Sequence, residues 1–150
     1  MEDQKVPGIA IEHVRLLNAH IEMVNSTVEG KPSYNVRLIG MQRVESHDGM
    51  VLDLLAQFDV MHGVEKPLFK FTCDFVARYR RRAADSMTWE EFSSGMALAH
   101  IIPYLREFVS NMTNRLPAPV LMLDPINAHA MIDDYKKRKV AVESRPADKG

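Results

Sequence analysis

Val51-Leu52-Asp53-Leu54-Leu55-Ala56-Gln57-Phe58-Asp59-Val60-Met61 decides how this chain folds. Leu52, Leu54, Ala56, Phe58 and Val60 are apolar at every second position, while Asp53, Gln57 and Asp59 hold the other phase. Side chains alternate between the two faces of a β-strand, so this is a strand with one buried face. The pattern returns downstream. Phe69, Phe71, Cys73, Phe75, Ala77 and Tyr79 share one face, with Lys70, Thr72, Asp74, Arg78 and Arg80 on the other. His62-Gly63-Val64-Glu65-Lys66-Pro67 between them has turn composition. Upstream, Tyr34, Val36 and Leu38 alternate with Asn35 and Arg37, and Ser46-His47-Asp48-Gly49 supplies an Asp-Gly hairpin signal before Val51. Three consecutive strands therefore read as an antiparallel meander.

Ile11 to Val24 also alternates, but its apolar phase switches from Val14 and Leu16 to Leu17, Ala19, Ile21 and Met23. One extra residue near Leu16 and Leu17, a β-bulge, accounts for the switch. Asn25 to Ser33, with Gly30 and Pro32, reads as the loop from this first strand to the meander.

Beyond the strands the apolar period lengthens. Thr88 and Glu91 have capping-box spacing and start a short helix that Ser93-Ser94-Gly95 stops. From Leu98, the positions Ile101, Ile102, Leu105, Phe108, Val109 and Met112 recur by threes and fours, the mark of one helix face. Pro103 cannot donate to the Ala99 carbonyl, which predicts a kink or a start there. Leu116 to Ile126, interrupted by Pro117, Pro119 and Pro125, must run extended. Asn127 can cap a last helix bearing Met131, Ile132 and Tyr135, ending at Lys136-Lys137-Arg138-Lys139, where cations suit the helix dipole. The expected architecture is α+β: a four-stranded antiparallel sheet packed against a long helix, with a short C-terminal helix, in one domain over 1–139 and a disordered tail over 140–150.

Composition narrows the function. Nineteen basic and twenty acidic residues leave a formal charge of −1, so no global field draws the molecule to nucleic acid or anionic lipid. The lone cysteine, Cys73, excludes an internal disulfide and suits a reducing, cytoplasmic setting. Met1 to Pro7 leads into no apolar run, and no stretch reaches the length of a membrane span, so neither an export signal nor membrane insertion is expected. Ten methionines offer adaptable apolar surface as well as core filling. One sheet and one long helix bury little area, which favours self-association through the helix and sheet edge.

Ile102-Pro103-Tyr104-Leu105-Arg106-Glu107-Phe108-Val109-Ser110-Asn111-Met112-Thr113-Asn114-Arg115 resembles the main-helix signature of the SecB export-chaperone family, proline included. Pro119-Val120-Leu121-Met122-Leu123-Asp124-Pro125-Ile126-Asn127 resembles the family's extended segment before its last helix. The strand Phe69 to Phe75, with Cys73-Asp74, is similar to the family's Phe-Leu-Cys-Glu strand. The likeness spans Ile11 to Tyr135.

It implies a homotetramer, a dimer of dimers, whose grooves hold unfolded polypeptide clients without nucleotide or other cofactor, often preproteins passed to the SecA motor. By that resemblance the peptide-binding candidates are Leu121, Met122, Leu123, Ile126, Met131, Ile132 and Tyr135, with Tyr34 and Phe71 as outer members; the same side chains also suit the subunit's own core. Asp74 matches one acidic position that meets the motor. His20 and Val24 stand where two others would be acidic, Ala128 where an aromatic would follow Asn127, and Lys136 to Lys139 where the family becomes acidic. These departures weaken the expected docking to the motor and make another dedicated client, such as an antitoxin, the alternative to export preproteins.

Other chemistry has little support. No nucleophile elbow, phosphate loop or Cys-His spacing is present, so an enzyme is not expected. His13, His20, His47, His62, His100 and His129 lack metal-ligand spacing. Arg78-Tyr79-Arg80-Arg81-Arg82 could hold RNA if Tyr79 stacked on a base, but Tyr79 lies in the buried phase. Nucleic acid is therefore the weaker reading.

Overall fold

A computed structural model describes residues 8–24, 34–62, 69–82, 88–93, 96–115 and 121–143. Strands β1 (Ile9–Met23), β2 (Tyr34–Glu45), β3 (Val51–His62) and β4 (Phe69–Arg81) precede helices α1 (Trp89–Ser93), α2 (Met96–Thr113) and α3 (Ala128–Glu143). The sheet has the order β1-β4-β3-β2, with every neighbouring pair antiparallel. β2, β3 and β4 form the expected meander, and β1 closes its β4 side.

The alternation becomes the core. Leu52, Leu54, Ala56, Phe58 and Val60 of β3, with Phe69, Phe71, Cys73, Phe75, Ala77 and Tyr79 of β4, are buried on one sheet face. Each large apolar side chain so buried contributes about 1.5–3 kcal/mol. α2 supplies Leu98, Ile101, Ile102, Leu105 and Val109 from the predicted stripe. Phe75 meets Phe108 edge-on, Tyr79 meets Phe92, and the Tyr79 hydroxyl donates to the Ala97 carbonyl at 2.9 Å. Trp89 donates from Nε1 to the Gly49 carbonyl at 2.8 Å, which fastens α1 to the β2–β3 hairpin.

On the opposite face, ion pairs link neighbouring strands in turn. Arg37 reaches Asp59 at 3.0 Å between β2 and β3. Arg78 grips Asp53 with two hydrogen bonds, 2.7 and 2.8 Å, between β4 and β3. Arg80 pairs with Glu12 between β4 and β1. Exposed cross-strand pairs contribute roughly 0.2–1 kcal/mol each, so they trim the register that the apolar face sets.

The bulge expected in β1 is present, as a register shift between Leu16 and Asn18 that leaves Leu17 unpaired. Two others, between Ile11 and His13 and between Leu38 and Gly40, leave no phase change in the sequence strong enough to read. The hairpin turns at Gly49, whose φ of 70° favours glycine, and Gly49 N–H donates to the Ser46 carbonyl. α2 is long and bent, and carries Pro103 inside it rather than starting there.

α3 outruns its expected end. It continues from Lys139 to Glu143, so four residues assigned to a tail are helical. Lysine and arginine are good helix formers, and no glycine or proline occurs before Pro146. The remainder of the expected tail, the 25–33 loop, the 63–67 turn, the helix stop at Ser94 and Gly95, and residues 116–120 of the extended segment lie outside the described residues.

Candidate functional site

Three clamps position the segment between α2 and α3. Thr113 Oγ1, buried at the end of α2, donates to the Val109 carbonyl and accepts the Leu121 N–H at 2.9 Å. Arg106 donates twice to the Leu123 carbonyl, at 3.1 and 3.0 Å. The Asp124 N–H donates to the Tyr34 hydroxyl at 2.6 Å. Asn127 then caps α3, accepting the Ala130 N–H at 3.0 Å. With the backbone held extended, Leu121 and Leu123 turn inward and Met122 turns out, 73% exposed.

That alternation sorts the candidates. Phe71, Leu121, Leu123, Met131 and Ile132 are buried in the subunit's own core. Tyr34, Ile126 and Tyr135 pack partly buried against it, and Met122 stands free. A crevice of about 210 Å³ lies between α2 and the segment, lined by Arg106, Glu107, Ser110, Asn111, Met122 and Leu123. A larger one, about 350 Å³, joins Tyr135 to Leu17, Leu55, Gln57 and Asp74. Gly40 also lines it; an added Cβ there would come within 3.1 Å of Gln57 Oε1.

Asp74 pairs in register with Asn18 of β1 and Gln57 of β3, and its Oδ1 is buried with no hydrogen-bond partner. Ala128, at the position without an aromatic, is buried at the start of α3.

Some exposed apolar residues were not among the sequence candidates. Ile11, Leu16 and Met23 pair in register with Tyr79, Phe75 and Phe69, which places them on the core side of the sheet, yet all three are exposed. The helices thus leave the β1 flank uncovered. Tyr104 is also exposed, and its step out of phase with Ile101, Ile102 and Leu105 was the available signal.

The arginine cluster is engaged elsewhere. Arg78 and Arg80 hold their carboxylates, and the Arg81 guanidinium lies 4.6 Å from the Trp89 ring. Tyr79 is fully buried, and burial holds its hydroxyl above the ordinary tyrosine pKa, so it cannot stack on a base. Burial, then the nearby Asp74 and Asp59 charges, push the Cys73 thiol up to about 12, which leaves it no nucleophile. Among the described residues no three His, Cys, Asp or Glu side chains gather as a metal site would need, and no helix is long and apolar enough to cross a membrane.

No family model matches the chain, and no curated protein does. Solved structures do. A SecB-like chaperone of Mycobacterium tuberculosis, determined in complex with a ChAD peptide from the HigA1 antitoxin, superposes with a TM-score of 0.69 at 18% identity, covering 79% of this chain and 90% of that one. The fold is SecB-like. A Streptococcus agalactiae protein of unknown function aligns with a TM-score of 0.46 at 13% identity, over 78% of this chain and 97% of that one.

Proposed function

We propose that this chain is a nucleotide-independent holdase that keeps client polypeptides unfolded, works in the cytoplasm and catalyses no reaction. The observation that carries the reading is the clamped segment that presents Met122 to solvent beside a crevice, on a SecB-like fold. An extended polypeptide offers apolar side chains and unpaired backbone groups, and a fixed extended segment beside a helix can receive both. Met122, Tyr104, Tyr34, Ile126 and Tyr135 are the surface members of the binding site; Phe71, Leu121, Leu123, Met131 and Ile132 join it where α3 shifts to admit a client.

The uncovered β1 flank, with Ile11, Leu16 and Met23, supports assembly into a homotetramer, because apolar area of this kind is usually covered by a partner. Clients are preproteins bound for export or a dedicated antitoxin. The second is favoured by His20 and Val24, which stand where the resemblance implies acidic contacts for the motor, and by the antitoxin peptide bound to the Mycobacterium tuberculosis chaperone.

The test dilutes a chemically denatured protein into buffer without nucleotide and follows light scattering, alongside a native-mass measurement. Suppressed aggregation and a mass near four times the 17.1 kDa of one chain are expected. A monomer that leaves aggregation unchanged rejects the reading.

A further inference from the structure

The face of α3 that packs on the subunit does not end apolar. With about 3.6 residues per turn, Ala128, Met131, Ile132 and Tyr135 fall on one side of the helix, and Lys139 lies on that side one turn further on. All four of the former are buried or partly buried, whereas Lys139 is exposed. Lys136 follows Ile132 by one turn at the border of the same face, and Lys137 points to the opposite side. Arg138 is occupied, held by Asp134 at 3.0 Å and by the Leu38 carbonyl at 2.6 Å. Among the described residues, Lys136, Lys137 and Lys139 have no ion-pair partner.

The helix dipole does not account for these cations, since α3 runs on to Glu143 and the dipole acts within the last turn. Lys136 and Lys139 follow Tyr135 on the helix by one residue and by about one turn, and Tyr135 lines the 350 Å³ crevice. Asp74 lines it too, with an unpartnered buried oxygen, so a carboxylate inside the crevice would be repelled. A carboxylate just outside it, level with Lys139, would be attracted. One helical turn is about 5.4 Å and an extended chain advances about 3.3 Å per residue, so that carboxylate sits about two residues from a side chain in the crevice.

We infer that the end of α3 makes this site selective for extended polypeptides that carry an acidic residue about two positions from an apolar anchor. The inference rests on the holdase reading and names the client chemistry that reading leaves open. An acidic peptide is preferred to a nucleic acid as occupant because the crevice offers Leu17, Met41 and Leu55 to an apolar side chain and an Asp74 carboxylate that would repel phosphate, and the chain's net charge is −1.

The test uses the full chain and three fluorescent, unstructured peptides that share one apolar anchor and differ two positions away, with Glu, Ser or Lys. At low salt the Glu peptide is expected to bind about five- to tenfold more tightly than the Lys peptide, a difference that shrinks in high salt. The double variant Lys136→Glu, Lys139→Glu should abolish or reverse the order, and Lys137→Glu, on the far side, should leave it within about twofold. Equal binding of all three peptides overturns the inference and spares the holdase reading. So does an effect of Lys137→Glu as large as that of the pair, or tighter binding of an RNA oligomer with the same lysine dependence. Failure of every peptide, the Ser peptide included, overturns both.

Discussion

The Tyr34 hydroxyl at the start of β2 accepts the Asp124 N–H at 2.6 Å, joining residues 90 positions apart. At the other end of the same segment, Thr113 holds Leu121. The stretch carrying Met122 is thus tethered at both ends and again at the Leu123 carbonyl by Arg106, an arrangement that keeps Leu121 and Leu123 in the core and presents Met122 to solvent.

Tyr34→Phe removes the acceptor at the solvent-facing end. A net hydrogen bond contributes about 0.5–1.5 kcal/mol, and water can replace this one, so a loss at the low end of that range is expected in urea denaturation. Faster hydrogen exchange at the Asp124 amide should accompany it. An unchanged exchange rate would show that the tether does not hold the segment.

Thr113→Val should cost more. The Thr113 side chain is fully buried, and its loss strands the Leu121 N–H where water cannot reach, a penalty of about 1–3 kcal/mol. Thr113→Ser keeps the hydroxyl and should recover much of the difference. Equal destabilisation by Val and Ser would place the effect in packing instead.

The strands and helices were legible because alternation and the three-four spacing are local signals that solvent exposure alone imposes. Even the β1 bulge announced itself, through the phase switch at Leu16 and Leu17. The bulges at Ile11/His13 and Leu38/Gly40 did not: Ile39 and Met41 give the second no polar phase to break, and at the first only Glu12 and His13 interrupt Ile11 and Val14, too short a run to fix a phase. The end of α3 misled: Lys136 to Lys139 resemble a helix terminus, yet cations also favour helix interiors, and only a breaker would have stopped the chain. The site was the least legible part. Leu121, Met122 and Leu123 are alike in hydrophobicity, and which of them faces water depends on clamps from Thr113, Arg106 and Tyr34, residues distant in sequence.

Asp53 gives a pH signature. Its hydrogen bonds from Arg78 hold its carboxyl below the ordinary aspartate range, against the opposing effect of burial. A folded pKa below the unfolded value of about 3.9 means the stabilisation is present above pH 4 and is lost as pH falls through the folded pKa, while Arg78 stays charged throughout. Both side chains are partly exposed, so solvent screening keeps the contribution of the pair small. Asp53→Asn should therefore destabilise the fold at pH 7, and the difference from the unaltered chain should shrink as pH falls below 4. A cost independent of pH would assign the loss to packing.

Cys73 reports on the core itself. It pairs with Ala19 of β1 and Phe58 of β3, faces the helices and is 1% exposed, with its thiol held up to about 12. At pH 8 almost no thiolate forms in the folded chain, and a reagent must wait for the sheet and helices to part. The native protein should leave an aromatic disulfide reagent unreacted over the minutes in which the urea-unfolded chain reacts to completion. Should a client enter by lifting α2 from the sheet, reactivity would rise with client concentration; should it bind at Met122 and Tyr135 without such motion, reactivity would stay flat. Rapid reaction of the free native chain would contradict the buried position of Cys73.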